Sequence, residues 1–370
     1  MDRKLIDKLS KRNQEGTKRS LSFFEDGIDF YSNDYLGLAR QSILPNNKNY
    51  FGSTGSRLIS GNSKEAINCE EFLAKFYKVE KALVFNSGYD ANLGFFGAIP
   101  QRGDTVIYDE HIHASARDGI RLSFADSFSF QHNSLTDLEL KIRRSKGTVY
   151  VAIESLYSMG GDFSPLKEIA KICAENGVYL VVDEAHACGV FGEDGRGLVD
   201  KLNLTEHVFA RIVTFGKAYG FHGACVLGQT LLIEYLVNFA RSFIYTTALP
   251  SSEYNQIQES VLFAKEESLR KQLQDNISQF VTQLNTIQLS SEGISPIQMI
   301  RIGSVEKCKT IAEKLLNSGI NVKPIFSPTV AAGNESIRIC IHSFNTKEEI
   351  DQLCSILLEQ LLIKDEIKFI

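Results

Sequence analysis

Apolar positions along the chain switch repeatedly between two periods, and that switching predicts the architecture. Over 62–77, Cys69, Phe72, Leu73 and Phe76 recur at helical spacing, with Asn62 and Glu65 placed to cap the start, so a helix is expected there. Short β-branched runs follow at 82–85, 105–108, 148–153, 178–182 and 211–214, each ending in polar or glycine residues. Helical stretches separate them, 165–176 among them. This alternation predicts an α/β fold with a mostly parallel central sheet covered by helices on both faces. Past Pro250 the texture changes to long charged helical patterns at 253–284, 307–318 and 346–362, with strand-like runs at 297–302 and 336–341. That is the make-up of a smaller C-terminal α+β domain. The start is charged and amphipathic, with Leu5, Ile6 and Leu9 on one helical face. The expected division is an N-terminal helix and arm over 1–45, a large domain over 46–250 and a small one over 251–370.

Composition narrows the function. A chain of 370 residues exceeds the roughly 250 to 300 at which single cores stop growing. A hydrophobic share of 43% against 23% charged excludes a disordered chain. The 40 basic and 45 acidic residues leave a net charge of −5 with no long basic run, which argues against nucleic-acid and membrane-surface binding. The start lacks the apolar centre of a signal peptide, and no stretch reaches the ~18 apolar residues of a membrane span, so a cytoplasmic protein is expected. Seven cysteines are scattered and never spaced Cys-x-x-Cys, as reduced thiols would be.

In a parallel sheet, ligands collect at the carboxyl ends of strands, and those positions carry a suggestive set. After 82–85, Ser87 and Gly88 open a helix whose free N–H groups suit a phosphate, although capping alone explains many such turns. After 178–182 comes Asp183-Glu-Ala-His186. A carboxylate at the mouth of a buried strand is costly unless paired, so Asp183 is expected to face a cation. After 211–213, Thr214-Phe-Gly-Lys217 places a lysine in a glycine-flanked turn, where a solvated loop lysine is the plain alternative. Together they meet the needs of pyridoxal 5'-phosphate: a lysine for a Schiff base, an acid that keeps the ring nitrogen protonated, and an anion site. Asp-Glu-Ala-His also occurs in helicases, but their Gly-x-x-x-x-Gly-Lys-Ser/Thr loop is missing. His111-Ile-His113 would suit a metal hydrolase if further ligands converged on it, and the other histidines show no ligand spacing.

Tyr31-Ser-Asn-Asp-Tyr-Leu-Gly-Leu38, Gly52-Ser-Thr-Gly-Ser-Arg57, His113-Ala-Ser115, Glu154-Ser-Leu-Tyr-Ser-Met-Gly-Gly-Asp162, Asp183-Glu-Ala-His186, Gly195-Arg-Gly197 and Thr214-Phe-Gly-Lys217 occur in an order that resembles the α-oxoamine synthases, pyridoxal-phosphate enzymes of the aspartate-aminotransferase-like fold (fold type I). The resemblance implies that Lys217 carries the cofactor and removes the α-proton of the amino acid, that Asp183 bonds the ring nitrogen, and that His186 and Ser158 address the ring hydroxyl. It implies that His113 stacks on the ring, and that Ser87, Gly88, Tyr89 and Thr214 hold the phosphate with Thr246 or Thr247 of a second subunit in a homodimer. Arg338 would clamp the substrate carboxylate, while Thr329, Arg19 and Asn33 would line the acyl entrance. From spacing alone, Arg338 on an Ile-Arg-Ile strand reads as a surface residue. Phe243-Ile-Tyr-Thr-Thr-Ala-Leu-Pro250 and Ser327-Pro-Thr-Val330 look most like the biotin-pathway member, which condenses L-alanine with a pimeloyl thioester on coenzyme A or a carrier protein. A sibling using glycine and another acyl thioester, or a catalytically silent homologue, are the other readings. The chain departs from the family in a short stretch between Arg19 and Asn33, in Asn68 where many members have histidine, and in Ala331 where proline is common.

Overall fold

The computed structural model describes residues 10–18, 27–40, 52–284, 294–327 and 329–362. These form two compact units. The larger takes in the described residues of 36–158 and 163–270; the smaller takes in those up to 35, 159–162 and those from 271 onward.

The larger unit is built on seven strands: β1 (Lys81–Phe85), β2 (Thr105–Asp109), β3 (Asp126–Phe130), β4 (Val149–Glu154), β5 (Tyr179–Asp183), β6 (Ala210–Thr214) and β7 (Ala224–Gly228). Their order is β1-β7-β6-β5-β4-β2-β3. Only β7 runs against its neighbours, and the other pairings are parallel. The predicted mostly parallel sheet is therefore present. Its middle strands are apolar on both faces because helices cover both, and every residue of β6 is buried. The helices are α1 (Lys64–Phe76), α2 (Gly88–Ala98), α3 (Ala114–Leu122), α4 (Leu135–Arg144), α5 (Leu166–Glu175), α6 (Thr230–Phe239) and α7 (Ser251–Phe263). The α1 cap is Ser63, whose side chain accepts from the Ala66 amide, in place of the expected Asn62. Ser63 sits one residue closer to the first free amides, where its short side chain reaches. Leu83, Val106, Ala152, Val181, Ile212 and Val226 from the sheet meet Phe95 and Phe96 of α2 in the core.

Two elements escaped the pattern. Strand β3 reads Asp-Ser-Phe-Ser-Phe, and its first four residues are exposed, as an edge strand allows. The 253–284 pattern breaks into α7 and α8 (Glu267–Gln283), where the Arg270 guanidinium takes up the Ala264 carbonyl at the end of α7.

The smaller unit holds a three-stranded antiparallel sheet of β8 (Ile297–Arg301), β9 (Lys323–Ile325) and β10 (Ser336–Cys340), in the order β9-β10-β8. Helices α9 (Val305–Asn317) and α10 (Lys347–Leu362) accompany it. Ile28–Asp29 pairs in parallel with Ile320–Asn321. No helix among the described residues is long and apolar enough to cross a membrane.

Candidate active site

Because β1, β4, β5 and β6 point the same way, Phe85, Glu154, Asp183 and Thr214 finish on one edge of the sheet. The turn after β1 leads into α2. Ser87 is its N-cap: its hydroxyl accepts from the Asp90 amide at 3.1 Å and donates to Asp90 Oδ2 at 2.7 Å. Gly88 packs so closely on Thr214 that a Cβ there would lie 2.5 Å from Thr214 Cγ2. The turn after β1 and the end of β6 thus form one tight cradle at a helix N-terminus, where unpaired N–H groups and the helix dipole suit an anion. Tyr89, next in the turn, donates its hydroxyl to Asp118 of α3. The Asn86 amide donates to Thr246 Oγ1 at 3.2 Å and to the Thr247 carbonyl at 2.9 Å, which brings both threonines beside this turn within one chain.

Asp183 ends β5 and is 6% exposed. Its Oδ1 accepts from the Ala185 amide and its Oδ2 from Asn92 Nδ2, both at 2.9 Å. Asn92, on the buried face of α2, gives a second N–H to Ser115 Oγ at 3.0 Å. Ser115 Oγ lies 2.7 Å from Nδ1 of His113, the N-cap of α3. A line of hydrogen bonds therefore runs from the buried Asp183, through buried Asn92 and Ser115, out to His113. Burial holds the His113 imidazole below its usual pKa, against the pull of Asp183 and with the push of Lys217. Lys217 is half-buried in the turn after β6, and the Gly220 amide closes that turn on the Lys217 carbonyl at 2.8 Å. His186 is buried three residues past Asp183, and the Ser158 amide donates to Glu154 Oε2 at 3.1 Å. Burial, then the Asp183 charge, push the Glu154 carboxyl up to about 8.

Asn92, Ser115 and Glu154 were missed as site residues in the sequence. Ser115 and Glu154 lie inside quoted motifs without a role, and Asn92 is a lone amide in an otherwise apolar turn of α2. The metal alternative paired His111 with His113, and the structure separates their uses. His111 stacks on His132 with centroids 4.0 Å apart, beside Asp109. Asp109 Oδ1 already accepts from His132 Nδ1 and the His111 amide, and Oδ2 from the Asn133 amide, so this group is a hydrogen-bonded stack.

In the smaller unit Arg338 is 8% exposed, buried where strand alternation had suggested surface. Its guanidinium donates to Cys340 Sγ at 2.9 Å and to Asn33 Oδ1 at 3.0 Å, and the Tyr35 hydroxyl also donates to Asn33 Oδ1 at 3.1 Å. Thr329 is exposed, its amide on the Phe326 carbonyl. Arg19 lies outside the described residues.

The donor set suits pyridoxal phosphate. A buried carboxylate stands ready for a ring nitrogen, a lysine sits one βα unit later, and the Gly88–Thr214 cradle leaves bare backbone for a phosphate.

Comparison with known proteins agrees with this geometry. The aminotransferase class I and II family matches residues 25–357. The 8-amino-7-oxononanoate synthase of Emericella nidulans is 38% identical over 94% of this chain and 93% of its own. Among solved structures, the 8-amino-7-oxononanoate synthase of Francisella tularensis superposes with a TM-score of 0.79 at 30% identity, covering 92% of this chain and 99% of that one. The serine palmitoyltransferase of S. paucimobilis, with a bound PLP–myriocin aldimine, superposes with a TM-score of 0.87 at 26% identity over 97% and 96% of the two chains. The chain belongs to the aminotransferase class I and II family and, within it, to the pyridoxal-phosphate-dependent α-oxoamine synthases.

Proposed function

We propose that the protein condenses L-alanine with a pimeloyl thioester, carried by coenzyme A or a carrier protein, to give 8-amino-7-oxononanoate, carbon dioxide and free thiol, a step of biotin biosynthesis. The observation that carries this is the buried Asp183 held by Asn92 and Ala185 at the same sheet edge as Lys217, in a chain 38% identical to a synthase of that name. Pyridoxal phosphate, when bound, supplies an electron sink for negative charge at the amino-acid Cα. Lys217 Nζ holds the cofactor and then takes the α-proton, a role in which a nearby cationic group lowers its affinity for that proton. Asp183 keeps the proton on the cofactor's ring nitrogen, with His186 and Ser158 on the ring hydroxyl. Ser87, Gly88, Tyr89 and Thr214 bind the phosphate. His113 orients the substrate, Arg338 clamps its carboxylate, and Asn33, Thr329 and Arg19 line the acyl entrance. In balance, a bond forms between alanine Cα and the thioester carbonyl carbon, the C–S bond breaks to release thiol, and carbon dioxide leaves from the former alanine carboxylate. A proton returns to Cα.

Two subunits would share each site through Thr246 and Thr247, as a homodimer in the cytoplasm. Leu58, Ile59 and Tyr245, which are 52%, 85% and 73% exposed, support a partner surface near these threonines. Seven free, buried cysteines suit a reducing compartment.

A sibling that uses glycine or another amino acid with a different acyl thioester is the second reading, and the higher TM-score of the serine palmitoyltransferase, a protein named for serine and a palmitoyl group, supports the form of it with another amino acid. Free-thiol release assayed over pairs of amino acid and acyl thioester decides. L-alanine with pimeloyl thioester is expected to give the fastest release, and faster release with glycine and a short or long acyl chain would move the protein to the sibling.

A further inference from the structure

The hydrogen bonds that converge on His113 have a direction. The Ser115 backbone N–H donates to Nδ1 at 3.2 Å, so Nδ1 presents a lone pair to it. The Ser115 hydroxyl lies 2.7 Å from the same nitrogen, and its oxygen already accepts an N–H of Asn92 at 3.0 Å. The other N–H of that amide goes to Asp183 Oδ2 at 2.9 Å. An ionised carboxylate only accepts, so Asp183 fixes which end of the Asn92 amide faces it. The hydroxyl oxygen could accept a second hydrogen, so the Ser115 amide decides: with Nδ1 accepting from that N–H, the Ser115 hydroxyl turns its own proton to the same nitrogen. The two links that reach Nδ1, from the Ser115 amide and the Ser115 hydroxyl, thus both point hydrogen at it, and an imidazole nitrogen that accepts carries no proton.

We infer that His113 works as a neutral imidazole with its proton on Nε2, and that Asn92 and Ser115 are positioning residues that impose this tautomer. His113 is then a hydrogen-bond donor at Nε2 and has no basic nitrogen free at Nδ1. The tautomer follows from the hydrogen bonds alone; its use rests on the proposed function, where an Nε2–H donor suits the carboxylate of an amino acid and an uncharged ring lies against a cationic cofactor without repulsion. Charged and titratable groups face His113 from several elements. Asp183 at the end of β5 and Asp118 on α3 favour the imidazolium, Lys217 after β6 disfavours it, and the His113 amide faces Glu154 at the end of β4. Burial outweighs the two aspartates.

The test is nitrogen NMR of the histidine-labelled protein carrying pyridoxal phosphate, with His113 assigned by its loss in His113→Asn. Between about pH 6 and 8, Nδ1 should resonate as unprotonated and Nε2 as protonated. Ser115→Ala removes a donor to Nδ1, so the pH at which His113 charges should rise by roughly one unit, and the acid limb of kcat/KM should rise with it. Asn92→Leu should move both the same way, and Ser115→Thr should restore them. A protonated Nδ1 in the unaltered protein, or a titration unmoved by both Ser115→Ala and Asn92→Leu, overturns the inference. Should the variants fail to fold, the spectrum of the unaltered protein decides by itself. The same spectrum taken without cofactor reads the tautomer even if the proposed reaction is not observed, so the two claims fail separately.

Discussion

Glu154 and Asp183 stand opposite each other on adjacent parallel strands, both buried, and two carboxylates so placed do not both ionise cheaply. Asp183 has two N–H donors, whereas Glu154 Oε1 has no hydrogen-bond partner. The proton therefore belongs on Glu154. Because its folded pKa, about 8, lies above the unfolded value near 4.5, the native state binds more protons than the unfolded one between these values, and stability falls as pH rises through that window. Glu154→Gln removes the titration while keeping an acceptor for Ser158. Its free energy of unfolding in the cofactor-free protein, read by denaturant, should exceed that of the unaltered chain by a margin growing from pH 6 to pH 9, roughly 1 to 4 kcal/mol at the upper end. A constant margin would contradict the assignment. Asp183→Asn should weaken cofactor binding and lower kcat by about a hundredfold or more, and an unchanged turnover would remove Asp183 from the mechanism. Asp183 was legible in the sequence because a charge at the end of an apolar run needs a partner. Glu154 ends a similar run, but nothing in the letters tells that one of its oxygens is left without a donor.

Strands β5 and β6 are locked by a pair that apolar patterning does not reveal. Glu184, fully buried just past β5, accepts from the Arg211 Nε at 2.9 Å and from the Leu198 and Val199 amides at 2.7 and 3.0 Å. Arg211 also donates to the Arg196 carbonyl at 2.6 Å and lies over the Tyr77 ring, 5.1 Å from its centroid. Gly197 is required there: its φ is +97°, and a Cβ would come within 2.8 Å of Glu184 Oε1. The pair thus ties the Gly195-Arg-Gly197 loop to the strand that carries Asp183. Arg211→Met should cost about 3 to 5 kcal/mol by stranding the Glu184 charge, and adding Glu184→Gln should recover part of it, read by denaturant unfolding. Full stability in the single variant would show that the pair is idle. At the phosphate cradle, Gly88→Ala should weaken cofactor affinity at least tenfold while leaving the fold intact, because the new methyl meets Thr214 Cγ2 at 2.5 Å. The inner strands and α1 were readable because a core imposes one period over many residues. Strand β3 was not, since a solvated edge accepts serine and aspartate, and the α7–α8 break depends on an arginine folding back onto a carbonyl.

The catalytic reading of the whole molecule joins residues far apart in sequence, from Asn33 to Arg338, and only the resemblance made that joining visible in advance. The proposed sharing of the site between subunits has a stoichiometric test. When Lys217→Ala protein is mixed with a variant changed at both Thr246 and Thr247, half of the randomly formed dimers are mixed, and each has one intact site. Activity should then recover to about a quarter of the unaltered level from two nearly inactive parents. No recovery in verified heterodimers would place the threonines in the same subunit's site. The central claim, that these strand ends build a pyridoxal-phosphate site on Lys217, is tested most directly by borohydride reduction of the cofactor-loaded protein followed by peptide mass mapping. One phosphopyridoxyl group per chain, on Lys217, is expected. A label on another lysine, or none, would contradict it.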